Sequence, residues 1–253
     1  MNNLKVVGII PARYASTRFP GKPLADLGGK TMIQRVTEAA SQVLDHVVVA
    51  TDDIRIESAV KSFGGAVMMT SEEHKSGTDR CVEALEKYEL AQQTKFDVVV
   101  NIQGDEPFIR KEHIENLVNC FATPETDIAT LIKIIESNEV IFDPNRPKVV
   151  VDGQDMAIYF SRSPIPYLRD VDREKWHKAH TYFQHIGMYA YRSQVLRKIT
   201  KLGQGVLEKA ESLEQLRWLE NGYRIKTAVT GHESYGIDTP ADLERAKKLG
   251  LFD

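Results

Sequence analysis

The chain has 253 residues, 42% of them apolar, so it is long enough for one large domain or two small ones and too apolar to be disordered. Its 33 basic and 36 acidic side chains give a net charge of −3, which argues against a general nucleic-acid-binding protein. Charge is unevenly spread, because residues 1–35 carry six basic side chains and one acidic side chain. This local excess predicts an anion site near the start of the chain.

The sequence also bears on the cellular compartment. No apolar run reaches the roughly 18 residues that a membrane-spanning helix needs. The first apolar stretch is broken by Pro11 and Arg13 before it is long enough for a signal-peptide core. Cys81 and Cys120 have no CxxC partner, so we expect two reduced thiols and neither a zinc site nor a disulfide framework. These features predict a cytoplasmic protein that does not enter a membrane.

The first half of the chain alternates apolar runs with helical patterns. Continuous apolar runs, typical of strands buried on both faces, occupy residues 4–10, 46–50, 66–69 and 96–102. Helices are predicted at residues 31–43, 53–63, 77–92 and 111–121. This alternation predicts a parallel sheet with helices on both sides, in which ligands bind beyond the carboxyl ends of the strands.

The second half has a different character. Strands, some of them antiparallel, are predicted at residues 128–135, 148–151, 156–160, 186–191 and 223–229. Helices are predicted at residues 193–200, 206–221 and 240–249, and Thr239-Pro240 is typical of a capped helix start. We therefore predict one α/β domain over residues 1–253 with an embedded smaller subdomain.

The loop after the first predicted strand, residues 10–24, concentrates positive charge. Arg13, Arg18 and Lys22 lie among small residues and around a turn at Pro20-Gly21. A polyphosphate needs fixed cations and backbone N–H groups that small side chains leave accessible. The loop therefore predicts a triphosphate site, and a solvated surface loop with scattered basic residues is the alternative.

Two common phosphate motifs are missing from the sequence. Gly29-Lys30-Thr31 resembles the end of a P-loop, but Leu24 stands where that motif requires a glycine. No GxGxxG motif follows the first strand, which argues against a dinucleotide-dependent dehydrogenase.

Two aspartates are candidate metal ligands. Asp105 follows the fourth predicted strand and Gly104, and Asp238 lies just before the last predicted helix. Carboxylates in such positions suit a hard divalent cation such as Mg²⁺. Each also has an ordinary alternative, since Asp105 could be an acid near a helix N-terminus and Asp238 could cap the last helix.

Residues 74–80 form a loop-to-helix junction after the third predicted strand. Ser76, Gly77, Thr78 and Arg80 lie there, at the predicted ligand-binding edge of the sheet. Helix N-terminal amides and Arg80 could hold a nucleotide. The alternative is a Ser cap beside an exposed arginine.

The second half collects side chains of the types that recognise an acidic sugar: arginines for a carboxylate, with acids and amides for hydroxyls. They are Arg162, Arg169, His185, Glu208, Glu211, Glu214 and Gln215. Glu208, Glu211 and Gln215 are predicted on one face of a helix at residues 207–219. A solvated polar helix face is the alternative.

These segments together resemble the 3-deoxy-D-manno-octulosonate cytidylyltransferase family, the CMP-KDO synthetases, where KDO is the acidic sugar. The shared motifs, in the order and spacing of the family, are IPARYASTRFPGKPL, HKSGTDR, NIQGDEP, YFSRSPIP, HIGMYAY, LEKAESLEQLRWLENG and GIDTPADL. CMP-sialic acid synthetases and other sugar nucleotidyltransferases share the first motif more loosely. The resemblance runs from Val6 to Leu249, with Phe19 where leucine is common and Ser163 where alanine is usual.

The resemblance implies a nucleotide-diphospho-sugar transferase fold, an α/β, glycosyltransferase A-like and Rossmann-like mixed sheet flanked by helices. It implies that CTP and KDO give CMP-KDO and pyrophosphate with one or two Mg²⁺ ions, which activates KDO for lipopolysaccharide synthesis. It further implies a homodimer. Residues 1–127 would mainly bind the nucleotide, residues 128–235 would mainly bind the sugar and form the dimer, and residues 236–253 would supply an aspartate and the last helix.

The resemblance also implies a role for each motif residue. The triphosphate would be held by Arg13, Arg18 and Lys22, and the cytidine would be surrounded by Pro11, Ala12, Ser76, Thr78, Arg80 and Gln103. The Mg²⁺ ligands would be Asp105 and Asp238, and the sugar site would be lined by Arg162, Arg169, His185, Tyr189, Glu214 and Gln215. Catalysis would rest on Arg13, Lys22, Asp105 and Asp238. Our hypothesis is that metal activation of the sugar hydroxyl replaces a dedicated protein base.

Three other functions stay open at this point. The nearest is a cytidylyltransferase for another acidic sugar, such as a sialic acid or 8-amino-KDO. A nucleotide-binding regulator without catalysis is disfavoured by the presence of both Asp105 and Asp238. A dehydrogenase is disfavoured by the missing glycine motif.

Overall fold

The computed structural model describes residues 4–15, 18–74, 76–232 and 236–251. Its strands are β1 (Val6–Ala12), β2 (Val47–Thr51), β3 (Ala66–Met69), β4 (Val98–Asn101), β5 (Ile128–Ile134), β6 (Lys148–Val151), β7 (Ala157–Ser161), β8 (Phe183–Arg192) and β9 (Ile225–Val229). Its helices are α1 (Met32–Ser41), α2 (Ile54–Ser62), α3 (Gly77–Gln92), α4 (Lys111–Asn119), α5 (Asn138–Phe142), α6 (Trp176–Ala179), α7 (Ser193–Ile199), α8 (Val206–Glu211), α9 (Gln215–Glu220) and α10 (Pro240–Lys248). Within these residues, no helix combines the length and the apolar character needed to cross a membrane.

One compact unit comprises Met1–Glu115 and Ser234–Asp253. Its strands run parallel in the order β3-β2-β1-β4. Every residue of β2 and β4 is buried, as their continuous apolar runs predicted, and the edge strand β3 is half-buried. The predicted parallel sheet is confirmed, and because β1 and β4 are neighbours, the loops that leave their carboxyl ends start side by side.

Side-chain caps fix where helices of this unit begin. The caps are Thr31 for α1, Asp53 for α2, Ser76 for α3 and Thr239 for α10. Thr239 and Asp242 form a reciprocal capping box, and Pro240 is the first helical residue, as the sequence predicted. The alternative in which Asp238 caps the last helix is therefore wrong, and its carboxylate is left for other contacts.

The second compact unit comprises Asn116–Glu233. Strand β5 pairs antiparallel with β8 and parallel with β9, and β6 pairs antiparallel with both β7 and β8. A satellite core joins Ile135, Ile141, Trp176 and Tyr182 under the short helices α5 and α6. The predicted mixture of antiparallel strands and helices in this half is confirmed.

One predicted helix is wrong. Residues 206–221 form two helices, because Ser212 adopts a left-handed backbone with φ 52° and ends α8. The amide of Leu213 donates to the carbonyl of Glu208, which closes that turn. Glu208, Glu211 and Gln215 therefore do not share a face of one helix. Glu208 binds the guanidinium of Arg217, with N···O distances of 2.7 and 2.5 Å.

Candidate functional site

Three predicted nucleotide segments meet at the carboxyl end of β1. Pro11 lies at their centre: a β-carbon on Gly104 would stand 3.0 Å from its carbonyl oxygen, and one on Gly77 would stand 3.4 Å from its Cγ. Because a β-carbon contact of 3.0 Å with a backbone oxygen is tighter than nine in ten real ones, the absent side chain of Gly104 lets the loop after β4 approach β1 closely. Ala12 ends β1 beside this contact, and Gln103 follows β4 half-buried.

Lys22 joins the two predicted metal ligands. Its Nζ lies 2.6 Å from Oδ2 of Asp105 and 3.1 Å from Oδ1 of Asp238, and its side chain is 14% exposed. The amide of Ile237 donates to the carbonyl of Asp105 at 2.8 Å, which ties the backbones of the two acidic segments together. Two carboxylates that share one ammonium group are close enough to share another small cation.

The two predicted arginines of the same loop have different environments. Arg18 is exposed, and its Nη1 lies 3.3 Å from Oδ2 of Asp238. The guanidinium of Arg13 donates to the carbonyl of His74 at 2.5 Å, which connects the loop after β1 to the segment before α3. Arg18 and Lys22 therefore gather at Asp238, while Arg13 reaches the other predicted nucleotide segment.

In the part of the chain that the structure describes, the Lys22 ammonium pairs with two carboxylates, those of Asp105 and Asp238. Among the residues that the structure describes, no group of three or more His, Cys, Asp or Glu side chains could hold a metal ion. A site with two carboxylates suits Mg²⁺, which usually keeps several waters and takes substrate oxygens as further ligands. The donor set of Asp105 and Asp238 thus fits a magnesium ion that arrives with a phosphate.

The start of α3 is more buried than the sequence suggested. Ser76 caps the helix through a box with Asp79, and Thr78 is buried in the first turn. Arg80 is 0% exposed, with Nη2 2.5 Å from Oδ2 of Asp52 and Nη1 2.5 Å from Oγ1 of Thr70. The alternative of a Ser cap is confirmed, but that of an exposed arginine beside it is wrong. The contact of Arg80 with cytidine stays a prediction.

In the second unit, Arg162 is engaged by the backbone. Its guanidinium donates to the carbonyls of Pro144, Glu211 and Ser212 at 3.0, 2.6 and 3.2 Å. The carboxylate of Glu211 in turn accepts from the hydroxyl of Ser161 at 2.6 Å and from the amide of Arg162 at 2.9 Å. Three of the five N–H groups of Arg162 are thus occupied: two join the residue after β7 to the end of α8, and one reaches Pro144.

Arg169 and Glu214 occupy more open positions in this unit. The side chain of Arg169 is 90% exposed, and its Nε lies 3.5 Å from Oδ2 of Asp170. Glu214 directly precedes α9, where Arg217 Nη2 lies 4.0 Å from its carboxylate. The role of Arg169 in sugar binding stays a prediction.

Buried polar groups cluster between β8 and α9. The ring of Tyr189 packs against His185 and Trp218, with centroids 5.4 and 5.1 Å apart. The hydroxyl of Tyr189 is buried next to Thr130, and Nε2 of Gln215 is buried without a hydrogen-bond partner among the described residues. Burial, and then the nearby charge of Glu214, raise the pKa of Tyr189. Buried polar groups are normally hydrogen-bonded, so Nε2 of Gln215 points to a polar ligand.

His185 is neutral at physiological pH. It is buried, with Nε2 3.1 Å from Oγ1 of Thr130, and burial lowers its pKa to about 3. A neutral imidazole can orient a ligand through its ring nitrogens but carries no positive charge for a carboxylate.

Acid is expected to destabilise the fold through His185. Its pKa is about 3 in the folded chain and about 6.5 when unfolded, so between these values only the unfolded state binds the proton. The free energy of unfolding should therefore fall as pH drops from about 6.5 towards 3, with a slope from this group of at most about 1.4 kcal/mol per pH unit. Urea unfolding of the parent and of His185→Gln at pH 7, 6, 5 and 4 measures how the free energy of unfolding depends on pH in each protein. Equal slopes in both proteins would contradict this assignment.

Sequence reasoning missed several residues of this region. Asp52, Asp53, Arg55 and Tyr14 link the loops around the predicted nucleotide site, and none was singled out. Thr51-Asp52-Asp53 follows a predicted buried strand, so the rule that ligands lie beyond strand ends could have drawn attention to it.

Known cytidylyltransferases are similar to this chain over almost its whole length. The family described as Cytidylyltransferase matches residues 7–226. The 3-deoxy-manno-octulosonate cytidylyltransferase of Parabacteroides distasonis is 60% identical over 247 residues, which cover 96% of this chain and 97% of that protein. A protein of Arabidopsis thaliana described as the mitochondrial 3-deoxy-manno-octulosonate cytidylyltransferase is 47% identical and covers 97% of this chain and 83% of its own length.

Solved structures give the same picture of the fold. CMP:2-keto-3-deoxy-manno-octonic acid synthetase complexed with CTP superposes with a TM-score of 0.87, is 44% identical, and the match covers 98% of each chain. A cytidylyltransferase from Leptospira borgpetersenii, 17% identical, has a TM-score of 0.63 over 99% of this chain and 89% of its own. The predicted glycosyltransferase A-like nucleotidyltransferase fold is confirmed.

Proposed function

The chain belongs to the 3-deoxy-manno-octulosonate cytidylyltransferase family, and we propose that it transfers CMP from CTP to the anomeric hydroxyl of KDO with release of pyrophosphate. Membership makes it a nucleotidyltransferase. The observation that carries the specific reaction is the convergence of Lys22, Asp105 and Asp238 at one point. Cations and carboxylates together at a strand end are what a metal-bound nucleoside triphosphate requires.

The reaction demands charge neutralisation before any bond changes. CTP carries about four negative charges and KDO one, so the two substrates repel each other strongly unless cations offset the charge. Arg13, Arg18 and Lys22 supply three positive charges in one loop. Catalysis of phosphoryl transfer consists mainly of such neutralisation and of positioning the nucleophile in line with the leaving group. In our proposal the KDO hydroxyl attacks the α-phosphorus while pyrophosphate leaves on the opposite side.

We assign the metal to Asp105 and Asp238. When bound, Mg²⁺ would neutralise phosphate charge and lower the pKa of the sugar hydroxyl. Lys22 occupies the position between the two carboxylates, so we propose that its ammonium turns to the phosphates when CTP arrives. Arg18, already paired with Asp238, would stay at the edge of the same charge cluster.

We assign the sugar to the second unit. The buried hydroxyl of Tyr189 and the unpartnered side-chain amide of Gln215 would donate to the carboxylate and hydroxyls of KDO. Glu214 would accept from hydroxyls, and Arg162, held by three carbonyls, would offer its remaining N–H groups. His185 would orient this set as a neutral group.

We also propose a cytoplasmic homodimer that serves lipopolysaccharide synthesis. Cys81 and Cys120 are buried and form no disulfide, which is consistent with a reducing compartment. Ile134, Ile158 and Val229 expose about half of their surface on strands of the second unit, which supports association through that unit. Light scattering coupled to gel filtration tests the dimer.

Pyrophosphate release tests the proposed function. The protein with CTP and Mg²⁺ is expected to release pyrophosphate with KDO and to be far slower with a sialic acid. Equal or faster release of pyrophosphate with sialic acid or 8-amino-KDO would identify that sugar, and not KDO, as the substrate. CTP binding without pyrophosphate release in any of the assays would favour a nucleotide-binding regulator. An Asp105→Asn sample run beside the protein controls for a contaminating enzyme.

Substitution of His185 is expected to weaken sugar binding without abolishing chemistry. His185→Gln loses the ring that packs against Tyr189 and the bond to Thr130, and a lost hydrogen bond of about 0.5–1.5 kcal/mol predicts a roughly 2- to 10-fold higher KM for KDO. At saturating KDO, kcat should stay near that of the parent. An enzyme that does no chemistry at saturating KDO would show that His185 takes part in the reaction itself.

A further inference from the structure

Two adjacent aspartates between β2 and α2 bind guanidinium groups from different segments. Asp52 Oδ2 lies 2.5 Å from Nη2 of Arg80, in the first turns of α3. Asp53 accepts from Arg55, with Nε 2.9 Å from Oδ1 and Nη2 2.6 Å from Oδ2, and it caps α2 through the Arg55 amide at 2.9 Å. The end of β2 is thus a branching point from which two contact chains leave.

The first chain leads to the start of α3. Arg80, fully buried, donates to Asp52 and also to the hydroxyl of Thr70. Thr70 in turn donates through its amide and its hydroxyl to the carbonyl of Thr51, at 2.8 and 3.1 Å. The ends of β2 and β3 and the first turns of α3 are thereby fixed to one another. Because Ser76 caps α3, these contacts also fix its position.

The second chain leads to the loop after β1. The guanidinium carbon of Arg55 lies 3.2 Å from the centroid of the Tyr14 ring, a close cation–π contact. The amide of Gly21 donates to the carbonyl of Tyr14 at 2.9 Å. Gly21 has φ +71°, and a β-carbon there would lie 3.1 Å from ring atoms of Tyr14. Gly21 therefore packs against Tyr14 and closes the loop between them. Asp53 positions the Tyr14 ring indirectly, through Arg55.

The position of this closure matters for the predicted phosphate ligands. Tyr14 directly follows Arg13, and Gly21 directly precedes Lys22. Closing the loop brings together the two backbone segments that carry these cations, which are nine residues apart in the chain. A ligand that binds a loop already ordered pays less conformational entropy than one that must order it.

We propose that Asp52 and Asp53 are positioning residues for CTP: Asp52 sets the start of α3 through Arg80, and Asp53 sets the triphosphate loop through Arg55 and Tyr14. The inference rests on the proposed function, because it assumes that these two segments hold CTP. Neither aspartate needs to touch the nucleotide.

The Asp53 chain is tested by breaking its cation–π contact. Arg55→Ala and Tyr14→Ala should each raise the Kd for CTP, measured by calorimetry, about 2- to 5-fold, the effect of an exposed cation–π contact. Tyr14→Phe keeps the ring and should bind CTP like the parent. Lys61→Ala is the matched control, since it removes an exposed cation of α2 that pairs with Glu57 of the same helix. Unchanged affinity in Arg55→Ala and Tyr14→Ala would overturn this chain.

The Asp52 chain is tested in the same way. Asp52→Asn should raise the Kd for CTP about 10-fold, because Arg80 loses its charged partner in a buried position. If that variant fails to fold by circular dichroism, Thr70→Val removes the second partner of Arg80 and should raise the Kd to a smaller extent. A folded Asp52→Asn or Thr70→Val protein that binds CTP like the parent would overturn it.

Hydrogen exchange without nucleotide separates this inference from the proposed function. The amide of Gly21 should exchange faster in Arg55→Ala and Tyr14→Ala than in the parent, Tyr14→Phe or Lys61→Ala. If the parent binds no CTP but Gly21 responds in this way, the proposed function falls and the loop positioning stands. If CTP binds the parent but Gly21 exchanges alike in all variants, the loop positioning falls and the function stands.

Discussion

Asp105→Asn is expected to lower kcat by about 10²- to 10³-fold, and Asp238→Asn by a similar factor. Each substitution keeps the size of the side chain and one oxygen but removes the negative charge that holds a divalent cation. A metal ion contributes several kcal/mol of charge stabilisation in such reactions, and each 1.36 kcal/mol corresponds to tenfold in rate. Pyrophosphate release at saturating CTP, KDO and Mg²⁺ measures the loss.

A lower kcat in these variants could also come from a general loss of negative charge or from partial unfolding, so each has a control. Asp45→Asn removes an exposed carboxylate of the same unit just before β2 and should leave kcat unchanged. Because Lys22 pairs with both acids, each active-site variant should also be checked by thermal unfolding. A folded Asp105→Asn enzyme with the kcat of the parent would refute the assignment of this residue to the metal, and the same holds for Asp238→Asn.

The parallel strands were predictable because burial on both faces leaves a local signal. Residues 46–50 and 96–102 are almost continuously apolar, and the corresponding β2 and β4 are buried throughout. The start of α10 was equally local, since Thr239 and Pro240 suffice to begin a helix. Where neighbouring residues decide a structure, the sequence predicted it closely.

Other elements depend on distant contacts and left no such signal. The helical pattern over 206–221 is continuous, and the left-handed Ser212 that breaks it is accompanied by contacts from the end of β7, where Ser161 and the following Arg162 bind Glu211. Helix α6 has only four residues, and its Trp176 stacks on Tyr182 with centroids 6.0 Å apart. Tertiary packing, not helix propensity, stabilises such short elements.

The candidate site likewise has features that the sequence predicts locally and features that depend on distant contacts. Motifs and strand ends predicted which residues matter, but not that Lys22 lies between Asp105 and Asp238, which are 83 and 216 positions away. Nor could spacing show that Arg80 is buried on Asp52, because α3 had to be placed against β2 and β3 first. Residue types are local information, whereas the pairing of charges is a property of the folded chain.

Lys22→Ala is expected to lower kcat/KM for CTP by about 10- to 150-fold. A charge-assisted hydrogen bond to phosphate contributes roughly 1.5–3 kcal/mol, and this loss converts directly into rate. Lys30→Ala, eight residues further on, removes an exposed ammonium paired with Glu38 and should change little. An unchanged kcat/KM for CTP in Lys22→Ala would rule out its proposed role.

The position of Lys22 adds a second expectation for the same variant. Without nucleotide, its ammonium neutralises both carboxylates and so competes with any divalent ion for Asp105 and Asp238. Lys22→Ala should therefore bind Mn²⁺ more tightly than the parent in the absence of CTP, as measured by electron paramagnetic resonance, although it uses CTP less well. A tighter Mn²⁺ affinity together with a lower kcat/KM for CTP would indicate a lysine that interacts first with the metal ligands and then with the phosphates. A lysine that merely stabilises the fold would give a loss of both, because unfolding weakens metal binding and catalysis alike.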